Sequence, residues 1–154
     1  MQHRRPFGAF FAVCVLGTFL ARASSQAWAD SATEANPLEL RKIMRELGKN
    51  MKTVTDGISR EDWALVARIA PQLAEHPQPP MGEKMRILAF VGTDAAKFKG
   101  HDEKTHQAAR ALEEAAARNI GARVIAAFAT LQNSCLDCHQ YFRKPFVEHF
   151  YGQR

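Results

Sequence analysis

The 154-residue sequence predicts an all-α protein, an antiparallel four-helix bundle. Three observations carry this. No stretch sustains a period-2 alternation or places a hairpin dipeptide between β-branched runs, so nothing reads as a strand. Four stretches instead repeat apolar residues at spacings of three and four, with short breaks between them. Removal of a 29-residue leader would leave 125 residues, the size of one domain able to bury a single core without cross-links.

The leader is legible by its order. Met1–Pro6 is short and basic, with His3, Arg4 and Arg5, and Phe7–Leu20 is uncharged and mostly apolar. Ala27-Trp28-Ala29 then offers a small-residue cleavage site before Asp30. This is the layout of a secretory signal peptide, so residues 1–29 are expected to be cleaved and residues 30–154 to form the bundle domain. A membrane anchor is the competing reading, but its span needs about 20 apolar residues and the run is shorter. Cys14 lies in the middle of that run, not behind a lipobox. Cleavage removes Arg4, Arg5 and Arg22 and no acidic residue, so the formal charge falls from +5 to +2. Most of the case for nucleic-acid binding goes with it. Export places the mature protein in the oxidising bacterial periplasm, with no stable membrane insertion after cleavage.

The first helix is expected over Leu38–Thr55, capped by Asn36 with Pro37 in its first turn. Its apolar stripe is Leu40, Met44, Leu47, Met51 and Val54, and Asp56-Gly57 closes it. Ser59 caps the second helix, with Asp62 three residues on. Trp63, Val66, Ala67, Ile69, Ala70 and Leu73 face inward, and Pro71 should kink or restart the run. His76-Pro77-Gln78-Pro79-Pro80 is a firm break, and Met81–Gly92 reads as a loop with a short helix. The third helix starts between Thr93 and Asp102, blurred by Gly100, and runs through the alanine-rich Thr105–Arg118. Asn119-Ile120-Gly121 breaks the chain again. The fourth covers about Ala122 to Arg143 with Val124, Phe128, Leu131, Cys135, Cys138 and Phe142 inward, and Lys144-Pro145 ends it.

The chemistry sits at the end of that last helix, in "SCLDCHQYFRKP". Once Cys14 leaves with the leader, the two remaining cysteines both belong to C-x-x-C-H: Cys135, Cys138 and His139. On a helix, positions i, i+3 and i+4 share one face. One turn can therefore make two thioether bonds to haem vinyl groups and one iron–imidazole bond. A thioredoxin-like dithiol needs a βαβ setting that is absent here. A zinc site needs about four ligands, and only scattered histidines accompany the two cysteines. A disulfide across two intervening residues would cross-link almost nothing. The expectation is one covalent haem c with iron, lying inside the bundle and supplying part of its core, because Cys135 and Cys138 continue the core stripe. Arg143, four residues beyond His139, lies near the same face, placed to pair with a propionate or to screen the iron–histidine side from water.

A haem motif in the last helix of a four-helix bundle, continued as C-x-x-C-H-x-x-[aromatic]-R, resembles the class II cytochromes c, the cytochrome c′ family. The residues that carry the likeness are Cys135, Cys138, His139, Phe142 and Arg143, and "LRKIMRELGKNM" is similar to the family's first helix. The middle of the chain matches no family pattern. Class I cytochromes c are excluded: they carry the motif near the N-terminus with a methionine ligand well downstream. Here fifteen residues follow His139 and no methionine occurs after Met85.

The resemblance implies where the second axial ligand would come from. In the family it is a first-helix position, small or apolar in high-spin members and methionine in the low-spin branch. Met44 in "RKIMREL" matches it. Thioether ligation opposite histidine raises the reduction potential, which suits a carrier. The competing role for Met44 is core packing; Met51 is the rival ligand, and Met81 and Met85 are weaker ones. Arg41, three residues before Met44, is placed to reach a propionate or to be solvated. His76, His101, His106 and His149 are expected at the surface, and Trp63, Phe90, Phe98 and Phe128 in the core.

The expected function is a periplasmic monohaem protein carrying single electrons between redox partner proteins. No acid–base pair or nucleophile constellation suggests an enzyme. The alternative is a five-coordinate cytochrome c′ that binds NO or CO. A third reading is a helical thiol–disulfide exchanger without haem. Relatives of this fold often dimerise, so a homodimer stays open.

Overall fold

The computed structural model describes residues 38–152. The leader of residues 1–29 and the Asn36-Pro37 cap lie outside the described residues. Six helices follow in order: α1 Glu39–Ser59, α2 Trp63–Ala74, α3 Met81–Val91, α4 Ala95–Ala117, α5 Gly121–Cys138 and α6 Lys144–Tyr151. Among the described residues there is no strand. The fold is an all-α four-helix bundle made by α1, α2, α4 and α5, with α4 packed against α2 and α5, and α1 against α2. Three-residue turns at 60–62 and 118–120 reverse the chain and make their helices antiparallel. No helix among the described residues is long and apolar enough to cross a membrane.

The core follows the apolar stripes. Val54, Val66, Leu112, Val124 and Leu131 are fully buried, each contributing about 1.5–3 kcal/mol by leaving water. A second cluster, Leu38, Ile87 and Phe146, joins the start of α1 to α3 and α6, with Phe90 and Phe98 packed on it. Trp63 and Phe128 pack on the main core.

Several boundaries differ from the sequence expectation. Asp56-Gly57 does not close α1, because Gly57 is buried and lets α2 approach: a Cβ there would lie 3.0 Å from Val66 Cγ2. Ser59 therefore ends α1, and Asp62 caps α2, its Oδ1 accepting from the Leu65 N–H at 2.9 Å. Pro71 does not break α2, since only its last turn lies beyond, held by buried Leu73 and Ala74. The segment Met81–Val91 is a full helix, with Ile87 and Val91 buried. Helix α4 runs unbroken through Gly100, whose cost of about 1 kcal/mol is small beside the burial of Ala108, Ala109, Leu112, Ala115 and Ala116.

The start of α1 is held from a distance. The Glu39 and Leu40 N–H groups donate to Glu83 Oε2 and Oε1 at 2.7 and 2.8 Å. A carboxylate on α3 thus satisfies two orphan donors and meets the positive end of the helix dipole.

The last expected helix does not stop at Lys144. It passes through a π-helical turn, His139–Arg143, into α6. Pro145 has no N–H to offer Tyr141 O, and its ring crowds that carbonyl. The helix widens upstream of the proline, and Lys144 keeps helical angles of φ −63°, ψ −57°. His149 accordingly lies within α6, not after the last helix.

Candidate functional site

One cavity of about 740 Å³ lies between the first turns of α1 and the chain from Cys138 to Gly152. No buried residue of the main core lines it, so it sits beside the core and not inside the bundle. Its walls carry Arg41, Met44, Cys138, His139 and Arg143. Five of the six residues singled out from the sequence therefore converge. Cys135, one turn before Cys138, is half-buried and packs against the main core without reaching the cavity.

Each side chain has a local reason for its place. The Glu83 cap fixes the first turn of α1, from which Arg41 and Met44 project. Met44 is 42% exposed, facing the cavity and not filling the core. Met51 packs on the main core, while Met81 and Met85 project into solvent from α3. Ile43, absent from the expected stripe, is the residue that α1 buries at this level. The π turn carries His139 and Arg143, and π turns recur where a helix must re-aim a functional side chain. Beyond it, Phe146, Val147 and Tyr151 of α6 form a wall the sequence reading missed.

The electrostatics are those of an anion-accepting apolar pocket. Arg41, Arg45, Arg143 and Lys144 face a single carboxylate, Glu148, which lies 3.9 Å from Lys144. Among the described residues the three arginines make no ion pair. Arg41 stacks over the Tyr151 ring at 5.1 Å. Tyr151 Oη is buried beside the Leu38 backbone. Apolar walls from Leu40, Met44, Phe142, Phe146 and Val147, with an arginine rim, suit a flat apolar macrocycle bearing two carboxylates.

Partial burial, with the Arg143 charge adding to it, pushes the His139 imidazole below its usual pKa, toward the neutral ring that a metal binds. Burial pushes the Cys138 thiol up to about 11, with the Asp102 and Cys135 charges adding to it. Burial raises Cys135 as well, against a hydrogen bond with Ser134. A thiol–disulfide exchanger needs the opposite, a depressed thiol pKa.

Three of the four histidines, His76, His101 and His106, depart from the surface expectation, and His149 meets it. His76 is only 7% exposed in its side chain and meets His106 and Asp102 between α4 and the segment after α2. The i, i+4 spacing of Asp102 and His106 was a visible signal; the arrival of His76 from the proline segment was not. His101 is half-buried, its ring edge-on to Phe142 at 5.9 Å. His149 is exposed and lies against Phe90, with ring centroids 4.7 Å apart.

A family model described as Cytochrome C' matches residues 36–143. No curated protein and no solved structure matches the chain.

Proposed function

The chain belongs to the cytochrome c′ family, and on that premise we propose that it is a periplasmic electron carrier with His139 and Met44 as the two axial ligands of one haem. Membership brings covalently bound haem c with its iron, a role in electron transfer or gas binding, and an exported setting typical of the family. The haem supplies a one-electron iron couple; everything else is the work of this chain's residues.

Cys135 and Cys138 would supply the thioether anchors and His139 the first axial ligand. Arg41 and Arg143, on opposite walls of the cavity, would neutralise the propionates, with Arg45 and Tyr151 Oη beside them. Phe142, Phe146 and Val147 would exclude water from the macrocycle. With His139 and Met44 both coordinating, no position would stand open to an exogenous ligand, and fixed ligands would reorganise little when one electron arrives or leaves. The C-terminal segment around His139 would then present the docking face for redox partner proteins.

One observation carries the reading. Met44 stands in the wall of the cavity that His139 lines, while its rival Met51 is packed into the main core. The test is an optical spectrum of the purified holoprotein, oxidised and reduced, with and without carbon monoxide. The expected result is a low-spin ferric form with the weak far-red band of iron–methionine bonding, indifferent to carbon monoxide. That band should vanish in Met44→Ala. A high-spin spectrum that shifts with carbon monoxide would make the wild type a gas-binding member, with Met44 only lining the pocket.

A further inference from the structure

Away from the cavity, α4 and the segment after α2 bring together three side chains of metal-ligating type. His76 Nε2 stands 3.2 Å from His106 Nε2 and 3.4 Å from Asp102 Oδ1. His106 Nε2 is 3.5 Å from the same oxygen. The three atoms form a nearly equilateral triangle. The histidine side chains are 7% and 19% exposed and Asp102 is 42% exposed, so protein backs the triangle on the imidazole side and water reaches the carboxylate. None of the three lines the His139 cavity.

With both imidazoles neutral, protons serve only one edge of this triangle. His76 Nδ1 lies 3.1 Å from Pro77 O. A carbonyl only accepts, so Nδ1 carries the proton and, in the neutral ring, Nε2 is a bare lone pair. The Asp102 oxygen is an acceptor too. His106 Nε2 offers one proton at most, enough for one edge. A second proton, on His76 Nε2, would serve the Asp102 edge but leave two N–H groups facing each other at 3.2 Å; a cation over the triangle satisfies all three atoms at once.

The edge lengths exclude a small octahedral ion, and the donor set then identifies the class of cation. A tetrahedral ion bonded at about 2.0–2.1 Å to imidazole nitrogen and carboxylate oxygen separates its ligand atoms by about 3.3–3.4 Å. An octahedral ion at the same bond length separates them by about 2.9 Å. The observed 3.2, 3.4 and 3.5 Å follow the tetrahedral spacing. Two imidazoles with one carboxylate select zinc or copper over magnesium and calcium. The Pro77 carbonyl behind His76 is the outer partner that fixes the tautomer and ring of a metal-bound histidine.

We propose that His76, Asp102 and His106 bind one tetrahedral divalent cation of the zinc class, with the fourth position open to solvent. The ion would clip the proline segment His76–Pro80 onto α4. Segment and helix are otherwise joined here through the same three side chains.

The test uses chelator-treated holoprotein titrated with zinc at pH 7.5 by calorimetry, followed by zinc-edge X-ray absorption. The expected result is one zinc per chain, bound at micromolar strength or tighter. Two imidazoles and oxygen should lie at about 2.0–2.1 Å, and the thermal midpoint should rise on saturation. Loss of a mere outer partner costs about 10- to 100-fold in affinity, so removing a direct ligand in His106→Gln should cost about 100-fold or more. Asp102→Asn, at the exposed corner, is the second variant and keeps the fold. His149→Ala, on the exposed face of α6, should change nothing. Absence of stoichiometric binding overturns the proposal. So does binding that survives both His106→Gln and Asp102→Asn, or an absorption spectrum without imidazole.

Discussion

Replacing Glu83 by alanine removes the distant cap of α1. Two backbone N–H groups, those of Glu39 and Leu40, lose a carboxylate acceptor at 2.7 and 2.8 Å in a half-buried setting. Loss of an ordinary N-cap costs about 0.5–2 kcal/mol, and the lost charge at the helix dipole about 0.3–1 kcal/mol more. Water reaches the freed groups in part, so the sum is about 2 kcal/mol. A domain of this size shifts by about 4 °C per kcal/mol, so Glu83→Ala should melt about 8 °C below wild type by far-ultraviolet circular dichroism. Glu83→Gln keeps one acceptor oxygen but turns an amide donor toward the other N–H, and should fall between the two. Glu103→Gln, an exposed change on α4, should stay within about 0.5 kcal/mol. On the proposed Met44 ligation, the far-red band should weaken with the melting point, because Met44 projects from the turns that the cap holds. A Glu83→Ala midpoint within 1 °C of wild type would refute the capping argument.

The same helix should respond with opposite signs to one substitution at two glycines. Gly48→Ala meets nothing within 4 Å and should stabilise by about 0.5–1 kcal/mol, whereas Gly57→Ala drives a Cβ to 3.0 Å from Val66 and should destabilise by about 1–3 kcal/mol; urea titration measures both. Leu112→Ala, in the main core, should cost about 2–5 kcal/mol yet leave the visible spectrum unchanged, because the cavity lies beside that core. Arg143→Gln removes a cation from the cavity wall and so disfavours the reduced, less positive site. Its reduction potential should fall by about tens of millivolts at low salt, and by less as salt screens the charge, in a redox titration.

What the sequence disclosed was what short-range pattern encodes. Val54, Val66, Leu112, Val124 and Leu131 lie on helical stripes that packing then buries, so the bundle was legible. The convergence of Arg41 and Met44 on His139 and Arg143 was legible only through the family resemblance, since nothing local joins positions about a hundred residues apart. Three features stayed hidden because each is a tertiary decision. Glu83 caps a helix that begins more than forty residues earlier. His76 reaches Asp102 and His106 only once α2 and α4 have packed. Pro145 reads as a stop, yet packing of Phe146 against Leu38 and Ile87 outweighs the proline's local preference.

That last reversal shapes the site. The family match ends at Arg143, and the next nine residues supply Lys144, Phe146, Val147, Glu148, Tyr151 and Gly152 to the cavity wall. Had the helix ended at Lys144, His139 would face α1 across open solvent. The π turn instead lets the chain run on past the proline, and α6 is then tied back by Arg41 over Tyr151 at 5.1 Å and Arg86 over Phe150 at 5.6 Å. Arg41 thus serves both as a cation on the cavity wall and as a latch for α6. The apolar wall opposite Met44 is consequently built by residues that follow the haem motif, while three of the four cations on the pocket wall, Arg41, Arg45 and Arg143, come from the matched stretch.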